Sequence, residues 1–216
     1  MNILDIINPI KACVLITLLF ALYNLYWKIT MHRFLLYILL VVFFTELINS
    51  ILVYNNLPIR IPFNISIIFH DICWMLAFKE TLNRKKISNI ILSIFILFSV
   101  INFIVIEITD EYNYYTFVFG ALLYVSLFIY ESYKQLKEEN LMYFLSNNYL
   151  LLFAPVYFFF GMGLLLGFKP LGVTKMLLFG QVTLYVFIVN IVCIAYYTLI
   201  NIYIYREKNN HKWIKS

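Results

Sequence analysis

Seven long apolar runs, broken only by brief charged or turn-forming segments, constrain this chain more than any motif in it. They cover residues 10–27, 34–54, 61–78, 87–106, 115–130, 149–168 and 176–205. About 20 mostly apolar residues cross the roughly 30 Å of hydrocarbon in a bilayer, which is the length scale of these runs. Hydrocarbon offers no hydrogen bonds, so a crossing backbone must pair internally, and runs this long exceed barrel strands. The expected fold is therefore all-α, a polytopic transmembrane bundle of about seven helices filling residues 1–205. Residues 206–216 form a short basic tail. The chain of 216 residues is 63% hydrophobic and 12% charged, with mean hydropathy +0.87, and nothing is left over for a soluble domain.

The connections give the orientation. One alternate set carries Lys28, Arg33, Lys79, Arg84, Lys85, Lys86, Lys134, Lys137, Arg206, Lys208, Lys212 and Lys215. The other set holds only Lys11, Arg60, Lys169 and Lys175, together with the acidic Glu107, Asp110 and Glu111. Basic connections stay in the cytoplasm, so seven crossings predict an outside N-terminus and a cytoplasmic C-terminus. The expected location is the inner (cytoplasmic) membrane of a bacterium, crossed several times. The first run follows Lys11 but lacks a small-residue cleavage pattern, so it reads as a retained span.

The net charge of +5 would suit nucleic acid, but the basic residues flank apolar runs, where anionic lipid headgroups are the natural partner. No nucleic-acid partner is expected. Cys13, Cys73 and Cys193 fall in three separate runs without paired spacing, which signals neither a disulfide frame nor a zinc site. The segment 131–147 mixes charges with Leu and Tyr and reads as a continuation of the fifth helix along the interface. The last span looks too long for the bilayer, so its end should project into the cytoplasm.

Ionisable groups inside a span are expensive and therefore informative. Glu46, His70 and Asp71 stand out. Glu46 lies eight residues from the outer end of its span and His70 nine from the outer end of the next, so antiparallel neighbours would hold them at similar depth. Asn49 is one turn from Glu46, and Trp74 one turn from His70. The candidate ligand-binding residues are thus Glu46, Asn49, His70, Asp71, Trp74 and, near the outer end of the seventh span, Gln181. Two carboxyls and an imidazole in low dielectric suit proton sensing, proton coupling or a cationic ligand. The alternative is an internal hydrogen-bond network that only fixes helix packing. Thr183, Asn190, Tyr197 and Asn201 form a stripe on the last span that interhelical hydrogen bonding explains. Gly163 and Gly167 make a small-xxx-small pattern, with Pro155 in the same span, so close packing and a kink are expected there.

Several function classes drop out. An intramembrane zinc hydrolase needs several embedded histidines, and here His32 reads as a loop residue and His211 as tail, leaving His70 alone. No G-x-S-x-G elbow occurs, and no lysine lies within the last span to carry a retinal Schiff base. No repeated three-helix unit of the small sugar-transporter kind is found. No catalytic residue, cofactor or metal is expected.

The stretch LYVFIVNIVCIAYYTLINIYIYREK, with the preceding PVYFFFGMGLLLGF, resembles uncharacterised bacterial seven-helix membrane proteins. The architecture is similar to the membrane sensor portion of histidine kinases. The resemblance covers mainly the sixth and seventh spans and transfers no catalytic residue. It implies a receptor-like or sensor-like protein that detects a small ligand, lipid or proton and signals to a separate cytoplasmic partner such as a kinase. A small-solute or ion transporter is the alternative.

Overall fold

The computed structural model describes residues 9–81, 85–107, 112–167, 172, 175–179 and 182–215. In chain order the elements are α1 (Pro9–Asn24), α2 (Thr30–Tyr54), α3 (Arg60–Thr81), α4 (Lys85–Ile101), α5 (Tyr114–Lys137), α6 (Leu141–Leu145) and α7 (Asn147–Gly167). A hairpin of β1 (Leu177–Phe179) and β2 (Val182–Thr183) then leads into α8 (Leu184–Lys215). A π-helical turn, Asn102–Ile106, prolongs α4.

Among the described residues six helices are long and apolar enough to cross a membrane: α2, α3, α4 with its π-turn, α5, α7 and α8. The candidate first span is a shorter element. Its 16 described residues rise roughly 24 Å at 1.5 Å each, less than the hydrocarbon thickness. The last span also begins later than its apolar run, because Leu177–Phe179 and Val182–Thr183 pair as antiparallel strands with Leu177 opposite Thr183. From Leu184 the helix continues to Lys215, well past bilayer length, as its sequence requires. The fifth helix stops at Lys137; Glu139 takes a left-handed φ of 55°, and the separate one-turn α6 follows.

Helix neighbours run in the order α8, α1, α2, α3, α5, α7 and back to α8, with α3 also touching α7 and with α4 laid against α3 and α5. Burial in α4 is inverted relative to a water-soluble helix. Its inward stripe is Ser88, Phe95, Ser99 and Asn102, while Leu97, Ile104 and Val105 are 63%, 67% and 66% exposed. An apolar outward face with small and polar residues inside is the pattern expected when lipid, not water, surrounds the helix. The interior holds large aromatics, among them Trp74, Phe78, Tyr124, Phe159, Tyr196 and Tyr203, all buried.

Within α7, close packing falls at a glycine that the sequence pattern does not single out. A Cβ on Gly161 would lie 2.5 Å from Val192 Cγ2, so α7 and α8 meet there at backbone distance. Gly163 has only an ordinary contact with Ala121. Pro155 lies inside α7, as expected.

Candidate functional site

Three of the candidate residues come from consecutive turns of α3 and meet in the bundle interior. His70, Asp71 and Trp74 are 7%, 1% and 0% exposed. His70 Nδ1 lies 3.3 Å from Asp71 Oδ1. Trp74 Nε1 lies 3.3 Å from His70 Nε2 and 3.0 Å from the hydroxyl of Tyr196 on α8. The indole can only donate, so His70 Nε2 facing it serves as an acceptor, which leaves the ring proton on Nδ1, directed at the Asp71 carboxylate. Phe158 and Phe159 of α7 stand against the imidazole at ring-centroid distances of 5.6 and 5.7 Å. Tyr124 of α5 packs on Trp74 and donates its hydroxyl hydrogen to Leu152 O on α7.

Asp71 is only half satisfied. Its Oδ1 has His70, but Oδ2 is buried with no hydrogen-bond partner among the described residues. The space it occupies exists because α5 carries Gly120 opposite: a Cβ there would overlap Asp71 Oδ2 and lie 2.9 Å from Phe95 Cε2. Gly120 was not among the residues singled out from sequence. The residue type alone carries no sign of a facing carboxyl; only the packing of α5 on α3 supplies it. Tyr196 is a second residue missed, because its spacing in α8 is that of an ordinary aromatic core position.

Glu46 is placed elsewhere. The charged group acting on its carboxyl is Lys11 of α1, whose Nζ donates to Ser50 Oγ at 2.7 Å, and that hydroxyl donates to Glu46 O. On α8, Glu46 acts on Cys193 and Tyr197, whereas Asp71 acts on Tyr196. No hydrogen bond or ion pair joins Glu46 to His70 or Asp71 among the described residues, and the charged neighbour of Glu46 is Lys11. Lys11, counted among the outer connections, is a residue of α1. Asn49 lies one turn from Glu46, its Oδ1 buried and without a partner among the described residues. Gln181 lies outside the described residues.

His32 corrects another expectation. It sits in the first turn of α2, not in a loop, and is 1% exposed. Its Nδ1 accepts from Tyr26 N at 3.1 Å, its Nε2 lies 3.3 Å from Glu207 Oε2, and its ring stands edge-on to Tyr203. Asn147 at the start of α7 donates to Glu207 and to Tyr203 O. The far end of α8 is thus clasped to α2 and α7 by its one acidic side chain. Among the described residues no group of three or more His, Cys, Asp or Glu converges to hold a metal.

No family model, curated protein or solved structure matches this chain. Its function therefore rests on its own geometry.

Proposed function

We propose that this protein is a membrane sensor whose stimulus, a proton or a small cationic or hydrogen-bonding ligand, acts at Asp71 and His70. The last helix then carries the response to a separate cytoplasmic partner, a signalling kinase or a protein of that role. In this reading α1 adds a seventh crossing, the N-terminus is outside, the C-terminus is cytoplasmic, and the host membrane is the bacterial inner membrane.

One observation carries the reading: Asp71 Oδ2 faces no donor, among the described residues, in a fully buried, lipid-surrounded site. A carboxyl oxygen left so is costly, and a proton or cationic group is what would relieve it. The consequence has a route outward, because His70 and Tyr196 share the Trp74 indole, and Tyr196 belongs to α8. A ligand shifts an equilibrium only through differential affinity for its two states. Protonation or ligation of Asp71 changes the His70 contact and so the strength of the shared indole bond, which supplies that difference.

The test uses Trp74 as its own reporter. Purified protein in nanodiscs is titrated with acid while tryptophan emission is followed, with Trp27 and Trp213 replaced by Phe. Emission should respond in the parent and not in Asp71→Asn or His70→Leu. An identical response in both variants rules out this site. Proton or solute flux into proteoliposomes that disappears in the same variants would instead assign transport to the dyad. Co-purification of a kinase without flux supports sensing.

A further inference from the structure

A second buried polar centre lies where the N-terminal ends of α3 and α5 meet the C-terminal end of α4, away from the His70 site. Asn64, Asn102, Asn113 and Thr116 are each 0% exposed. The π-turn builds it. Residues five apart on an α-helix point roughly 140° apart, but here Glu107 N donates to Asn102 O at 3.0 Å, and the wider turn returns Glu107 to Asn102. Asn102 Nδ2 donates to both Glu107 Oε2 and Thr116 Oγ1, so the amide orientation is fixed and Oδ1 remains as an acceptor with no donor among the described residues.

Asn113 is the N-cap residue of α5, yet its side chain makes no capping bond. Glu107 takes that place, accepting from Tyr115 N at 3.1 and 3.2 Å. The backbone of Asn113 is held by Asn64 Oδ1 at 3.0 Å, and both polar atoms of its amide are buried without partners among the described residues. Two fully buried asparagines each keep a carbonyl oxygen with no donor, and Glu107 makes no ion pair among the described residues, which packing does not explain.

We infer that Asn102, Glu107, Asn113 and Thr116 form a binding site for a single monovalent hard cation of the sodium type. The available donors are amide, hydroxyl and carboxylate oxygens, which prefer hard cations to zinc or copper. The set carries one negative charge, so a monovalent ion neutralises it, whereas a divalent ion would leave a buried positive charge. Glu107 is half-buried and gives the ion its way in from the surface. The bound ion would tie α3, α4 and α5 together at that end of the bundle.

Asn113→Leu is the discriminating variant, because it removes no hydrogen bond that the side chain makes. Glu107→Gln keeps an acceptor for Tyr115 N while removing the charge. Thermal unfolding of the detergent-purified chain is compared in sodium, potassium and choline chloride at equal ionic strength, and retention of radioactive sodium by the unmodified protein is measured directly. The expected result is a melting temperature that rises with the logarithm of sodium concentration above its dissociation constant, with potassium weaker and choline inert. Both variants should lose at least nine-tenths of the sodium-dependent shift. Equal melting in all three salts with no retained sodium would overturn the site and leave buried water to satisfy the amides. So would an Asn113→Leu variant that keeps the full sodium response. Neither result bears on Asp71, which contributes no ligand here.

Discussion

Replacing Gly120 by alanine tests whether the Asp71 carboxyl is held where the structure puts it. Intrinsic helix propensity favours the substitution by about 1 kcal/mol, so without a local obstacle Gly120→Ala would stabilise α5. The obstacle is specific. The new methyl would overlap Asp71 Oδ2 and lie 2.9 Å from Phe95 Cε2, and both residues are almost fully buried. Overpacking of this kind costs about 1–3 kcal/mol. Turning the carboxyl aside gives up its bond to His70, and a hydrogen bond to a charged group contributes roughly 1.5–3 kcal/mol. The cost outweighs the propensity gain, and the net expectation is a loss of about 1–2 kcal/mol. At roughly 2–4 °C per kcal/mol for a chain of this size, the melting temperature falls by several degrees. The double variant Gly120→Ala, Asp71→Ala should recover at least about 1 kcal/mol relative to the sum of the single changes, since contacting residues couple at that scale. A neutral or stabilised Gly120→Ala protein, or additivity within about 0.5 kcal/mol, refutes the placement of Asp71 against α5.

Tyr196→Phe removes the hydroxyl that Trp74 approaches at 3.0 Å and leaves His70 as the indole's partner; a loss of about 1 kcal/mol and an altered Trp74 emission are expected, and unchanged emission would deny the link to α8. Gly161→Ala forces a methyl to 2.5 Å from Val192 Cγ2 and should cost about 1–3 kcal/mol in unfolding experiments, most of it restored by adding Val192→Ala. The Tyr143 phenol, outside the spanning segments, is pushed up from 10.0 to about 12 by burial first and then by the Glu131 carboxylate. Its folded-state value lies above the unfolded one, so its contribution to stability is intact below pH 10 and is lost as pH rises towards 12. Alkaline unfolding curves of the Tyr143→Phe protein should lack that share of the decline.

The architecture was largely readable because hydrocarbon leaves a backbone few choices: apolar runs of about 20 residues give helices, and α2, α3, α4 with its π-turn and α7 keep within four residues of the bounds read from the sequence. Leu177–Phe179 and Val182–Thr183 deceived the same rule. Their apolar character is that of paired strands with exposed Leu177 and Val182, and length and hydropathy do not tell such strands from the start of a span. The dyad was legible because His70, Asp71 and Trp74 share one helix, where spacing fixes geometry. Glu46 was assigned to the same pocket on depth alone. Depth does not determine which way round a helix a side chain points, and the charged neighbour of Glu46 is Lys11 of α1. Gly120, Tyr196 and the His32–Glu207 clasp were invisible for the same reason: each depends on which helix packs opposite, which a single sequence of uniform composition does not encode locally. The Asn102 centre depends on a π-turn, and no periodicity rule anticipates an extra residue in one turn.

The last helix gathers the contacts that matter. Along it, Tyr196 meets Trp74, Asn201 donates to Thr17 of α1 at 2.9 Å, and Glu207 reaches His32 and Asn147. Tyr196 and Glu207 are three turns apart, roughly 16 Å at 1.5 Å per residue. No glycine or proline interrupts α8, and sharp bends in helices almost always need one of these or a π-turn. In the proposed sensing reading, a shift at Tyr196 would therefore reach Glu207 as movement of a rod. Its neighbour α7 is the opposite case, with Pro155 inside it and Gly161 at the close contact. In the proposed sensing reading, relative motion of the pair would fall on α7, while α8 keeps its shape. The His32–Glu207 contact, at the end of the rod and before its basic tail, would then be where a change at the Asp71 site alters what the C-terminal segment presents.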